Sequence, residues 1–84
     1  MSAPLKDFSD NGLLELWVRS ETNQQVSTKL AYYGFEANPD QVRRRVRAIL
    51  KSRHVLPLGR RPTAKDYRRI KVAFLADWQD MEIL

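Results

Sequence analysis

The amino-acid sequence predicts an all-α domain of four helices, and three observations lead there. Apolar residues recur at three- and four-residue spacing. Four stretches open on a good helix-capping residue. No run of five or more residues alternates apolar and polar side chains with β-branched enrichment, so no sheet is predicted.

The first helix follows Ser9, a good N-cap, with Phe8 placed to staple onto Leu13, and runs to about Ser20. Leu13, Leu14 and Trp17 form its buried stripe. The second starts after Thr22, with Gln25 three residues on to complete a capping box, and stops at Gly34, which suits the left-handed position after a helix end. Val26, Leu30 and Tyr33 are its expected inner face.

The third has the cleanest start in the chain: Asn38 as cap, Pro39 at the first helical position where its missing N–H costs nothing, and Gln41 as the reciprocal partner. On a helical wheel Val42, Val46, Ile49 and Leu50 share one face. Arg44, Arg47 and Lys51 lie opposite, with Arg43 and Arg45 at the edges. The fourth opens at Thr63 with Asp66 as its capping partner and continues to Asp80 or Met81. Tyr67, Ile70, Phe74, Trp78 and Met81 recur along it at heptad-like spacing.

Eighty-four residues, 43% hydrophobic and 30% charged, suffice for one core and not two. Residues 1–84 are therefore read as one domain, with a core over 8–53, a basic linker over 54–62 and a C-terminal helix over 63–81. There is no cysteine, so burial has to hold the fold together. Apolar runs fall far short of the roughly 20 residues a membrane span needs, and the first eight residues lack a signal peptide's apolar centre. The expectation is a soluble intracellular protein: nuclear in a eukaryote, cytoplasmic or nucleoid-associated in a bacterial or phage setting.

Charge is unevenly placed. The net +5 divides into −3 over residues 1–42, +11 over 43–71 and −3 over 72–84. Such a block in the middle of a small domain points to an anionic partner. The third helix has Asp40 as its one acid, at the end where the helix dipole favours it, and this reading leaves five cations without partners.

Catalysis is not expected. His54 is the single histidine, the acids are scattered, and Gly12, Gly34 and Gly59 form no phosphate-cradling loop, so neither a triad nor a metal site can be assembled and no cofactor is expected. His54 is read as a cap or a phosphate neighbour at the end of the third helix, or as a half-exposed surface histidine.

Three short helices, the last basic and preceded by a turn, suggest a helix-turn-helix module. The stretches "FSDNGLLELW" and "VSTKLAYYGFEANPDQVRRRVRAIL" resemble the Myb/SANT-like group of tri-helical domains over about residues 8–51. Phe8, Ser9 and Asp10 match the aromatic, hydroxyl and acid that open its first helix, and Leu16 and Trp17 its later Leu-Trp pair. Val26, Leu30, Gly34 and Phe35 match its second helix and turn, and Asn38, Pro39, Asp40 and Gln41 the start of its third. The family's third-helix aromatic is replaced by Val46.

The resemblance implies a three-helix Myb/SANT-like bundle carrying a fourth helix, and a regulator of transcription that binds double-stranded DNA through its third helix in the major groove. Arg43, Arg44 and Arg47 then face base edges, while Lys51, Arg53, Arg60, Arg61, Arg68 and Arg69 hold phosphates. The alternative is a small non-enzymatic adaptor or inhibitor. It would bind RNA polymerase or another transcription or chromatin protein through Trp78, Met81, Ile83 and Leu84 or through the basic face, with residues 63–84 also available for a homodimer.

Overall fold

The computed structural model describes the backbone of residues 2–83 and the side chains of residues 2–77. In chain order it contains strand β1 (Ala3–Pro4), a single 3-10 turn (Leu5–Asp7), α1 (Asp10–Val18), α2 (Asn23–Tyr32), strand β2 (Phe35–Glu36), α3 (Pro39–Ser52) and α4 (Ala64–Ile83). The chain is mostly helical, with its four helices in the predicted places.

Each helix starts at the cap its sequence offers. Gly12 N–H donates to Ser9 Oγ at 3.1 Å, and Gln25 N–H to Thr22 Oγ1 at 3.2 Å, while Gln25 Oε1 accepts from Glu21 N–H at 2.8 Å. The box at α3 is complete in both directions: Gln41 N–H donates to Asn38 Oδ1 at 2.8 Å and Asn38 N–H to Gln41 Oε1 at 2.9 Å. These bonds satisfy amides that a helix start otherwise leaves without partners. Phe8 reaches further than its predicted staple. It lies over Gly12, where an added Cβ would come within 3.0 Å of its ring, and stacks on Phe35 at 4.9 Å between centroids.

That stacking accompanies a departure from the prediction of no sheet. β1 and β2 pair in parallel, Ala3 opposite Phe35 and Pro4 opposite Glu36, and Ala3 N–H donates to Gly34 carbonyl at 2.8 Å. Two-residue strands are too short to leave an alternating pattern, and their pairing is set by the docking of the N-terminal segment rather than by local preference.

The core joins all four helices: Leu13, Leu14, Trp17 and Val18 of α1, Val26 and Leu30 of α2, Val42, Val46, Ile49 and Leu50 of α3, and Ile70 of α4. Helices α1, α2 and α3 pack on one another, and α4 packs on α1. Tyr33, expected on the inner face of α2, is exposed. It caps the helix rather than continuing it, so the backbone has already left the wheel on which it would point inward. Gly34 follows in the left-handed region at φ 85°, as its position predicts.

Helix α4 is anchored along its first three turns. Tyr67 meets the edge of Trp17 at 6.2 Å and 86°, and Lys71 Nζ stands 4.8 Å from the centre of the same ring. Lys71 also donates to the Ser20 carbonyl at 3.1 Å, and Lys29 to the Arg19 carbonyl at 3.3 Å, so two ammonium groups meet the carbonyls just past α1. The expected docking residues Trp78, Met81, Ile83 and Leu84 have side chains outside the described residues. No described helix is long and apolar enough to cross a membrane.

Candidate nucleic-acid interface

The amphipathic pattern of α3 sets the site. Val42, Val46, Ile49 and Leu50 are all buried, which fixes the helix's rotation and turns Arg44, Ala48 and Lys51 to the solvent. Arg47 stands half-buried at one shoulder of this row. Ala48 was not singled out in the sequence. It sits exposed one turn beyond Arg44, and its small side chain leaves the helix surface open between the long cations.

The expectation that these cations lack partners needs correction. Asp40 holds both Arg43, through Nη2 at 2.6 Å, and Arg44, through Nε at 3.0 Å. They lie three and four residues beyond it, where helical neighbours meet. The hydrogen bond from Arg43, followed by the positive charges of Arg44 and Arg43, holds the Asp40 carboxyl below the usual carboxylate range. Arg45 Nη2 reaches Asp10 Oδ1 at 2.7 Å, so this arginine ties α3 to the start of α1. Arg53 likewise donates to Asn11 Oδ1 at 2.6 Å. Both are exposed contacts of modest strength, which a phosphate can compete for.

Arg60 also has an internal partner. Its guanidinium grips Asp66 with two bonds, Nη1 to Oδ2 at 2.6 Å and Nη2 to Oδ1 at 2.9 Å. Asp66 is buried and accepts from Thr63 N–H at 2.8 Å, so the pair locks the linker onto the first turn of α4. The Arg60 hydrogen bond, then the Thr63 amide, push the Asp66 carboxyl well below its ordinary range, and the same pairing raises Arg60. This bidentate geometry makes Arg60 a structural clamp first.

Arg47, Lys51, Arg61, Arg68 and Arg69 form no ion pair among the described residues. Arg61, Arg68 and Arg69 are exposed beside the clamp, on the linker and the first half of α4. His54 occupies the left-handed position after α3 at φ 59°, donating its N–H to Lys51 carbonyl at 3.1 Å while Val55 N–H reaches Leu50 carbonyl at 3.2 Å. That is a Schellman ending, so His54 has the capping place the sequence offered it.

Among the described residues no group of three or more His, Cys, Asp or Glu side chains is arranged to hold a metal ion. Lys71 was not among the site residues expected from the sequence, although its i+4 relation to Tyr67 marks it as lying beside the core-facing row of α4. Comparison of the chain with family models, with curated proteins and with solved structures finds no match.

Proposed function

We propose that the protein is a double-stranded DNA-binding regulator of transcription, of Myb/SANT-like tri-helical type, with α3 lying in the major groove. One observation carries this reading: the solvent face of α3 presents Arg44 and Lys51 around Ala48, with Arg47 at its shoulder, on a helix whose rotation is fixed by four buried apolar residues. A preorganised cationic row at whole-turn spacing suits base edges and flanking phosphates. In this reading Arg44 and Arg47 address guanine edges, where arginine bonds bidentately to O6 and N7. Lys51, Arg61, Arg68 and Arg69 hold phosphates. Arg43 and Arg53 exchange Asp40 and Asn11 for phosphate on binding, and Arg60 serves mainly to position the linker.

The test is a mobility-shift titration with random duplex DNA, repeated with Arg44→Glu plus Arg47→Glu and with helical content checked by circular dichroism. The native chain is expected to shift the duplex and the double reversal to lose the shift. Binding that survives the reversal contradicts the reading.

A second reading, a non-enzymatic adaptor that binds a protein of the transcription machinery or chromatin, is favoured by a separate observation. Tyr33, 65% exposed, lies 6.3 Å from the Phe8 ring of the Phe8–Phe35 stack, and its chain neighbour Tyr32 is 89% exposed. Aromatic side chains grouped in this way are what protein interfaces enrich. A chain that ignores duplex DNA yet retains one protein partner, and loses it on Tyr32→Ser plus Tyr33→Ser, supports that alternative.

A further inference from the structure

An open groove of about 580 Å³ separates the turn between α1 and α2 from the first turns of α3 and α4. Its walls are largely apolar, formed by Trp17, Val46 and Tyr67. Three cations from two helices reach it, Arg43 from α3 and Arg68 and Lys71 from α4, against the lining carboxylate of Glu21 and the Asp40 that holds Arg43. The capped start of α2, at Thr22 and Asn23, adds the positive end of a helix dipole.

Lys71 is the informative member. Its ammonium is half-buried, held over the Trp17 ring and against one carbonyl, with no carboxylate partner among the described residues. Burial accordingly pushes its pKa down. A cation withdrawn from water beside apolar walls gains more from an arriving anion than one in open solvent. Arg43 stands one turn before Arg47 on the same shoulder of α3, so the groove opens directly onto the proposed reading face.

We propose that this groove seats a backbone phosphate of the bound duplex, between Arg43 and Arg68 at its rim and Lys71 at its wall, with the adjoining sugar against Tyr67. The inference rests on the DNA-binding reading and deepens it, adding Lys71 and the groove to the phosphate contacts assigned to α4. Glu21 limits the affinity of the site.

The experiment is an anisotropy titration of a labelled random duplex at several salt concentrations, using Trp78→Phe, which leaves Trp17 as the single tryptophan, and the same chain with Arg68→Ala. Arg68 is exposed and in no ion pair among the described residues, so its truncation spares the fold. Removing one phosphate contact is expected to lower the magnitude of the salt slope by about one and to weaken binding equally across sequences. Trp17 emission is expected to change when duplex is added, because the ammonium over its ring is drawn toward the phosphate, and to change less with Arg68→Ala. Steep salt-dependent binding in which neither the slope nor Trp17 emission responds to Arg68→Ala overturns the groove proposal and leaves DNA binding through α3 standing. Failure of the Trp78→Phe chain to bind duplex even at about 50 mM salt overturns both.

Discussion

Asp40 shows how a single residue alters the account of the basic helix. The i+3 and i+4 neighbours of this aspartate are Arg43 and Arg44, so both bonds were available in the sequence, yet its place in the first turn of α3 also suits the helix dipole. It does both. It preorganises two arginines and, in the proposed DNA complex, would repel the phosphates they meet. Asp40→Asn is therefore expected to strengthen duplex binding by up to about fivefold, the scale of one exposed ion pair. Unchanged binding in a titration would contradict that repulsion, and weaker binding would show that Asp40 helps recognition by orienting Arg44. Tyr33 marks the opposite limit of legibility. Its spacing from Val26 and Leu30 was helical, but the helix ends one residue too early for that spacing to apply. Lys71 and Ala48 acquire meaning from what surrounds them, Trp17 and Ser20 for one and the cationic row for the other, which no local pattern records.

At the scale of elements, helix starts were legible because a cap and its partner lie within four residues of each other and depend little on the rest of the chain. Ser9, Thr22, Asn38 and Thr63 all cap as their sequence contexts predict. The β1–β2 pair and the groove were not legible, since both join segments far apart in sequence. The start of α4 lies between these cases: the Thr63–Asp66 exchange was visible and the Arg60 clamp on Asp66 was not. The clamp carries a pH signature. The folded state depresses the Asp66 pKa, so this contribution is complete above the unfolded carboxylate value of about 4 and is lost as pH falls through the folded value. Thermal melts are expected to show stability falling below about pH 4, and Asp66→Asn is expected to lower stability at neutral pH while flattening that acid limb. An acid limb identical in the variant would mean that other carboxylates control it.

Across the whole molecule, the charge map and the packing map coincide. The block of +11 over residues 43–71 spans all but the first turn of α3, the linker and the first part of α4, and the acidic segments lie to either side in sequence. Some of that charge is spent internally, on Asp40, Asp10 and Asp66, so composition overstates the number of cations ready for a partner. What remains, from Arg47 and Lys51 to Arg61, Arg68 and Arg69, is carried by two helices and the linker that joins them in a flattened body of 38 × 37 × 20 Å. The fold class followed from periodicity and capping. The division of the cations between structure and surface required knowing which helices meet. The central claim, that this surface binds duplex DNA through its phosphates, is tested most directly by measuring duplex affinity against salt concentration by anisotropy. Contact with six phosphates predicts a slope of log K on log salt near −5, a loss of about a thousandfold or more from low to moderately high salt. An affinity that stays flat over that range would contradict the claim.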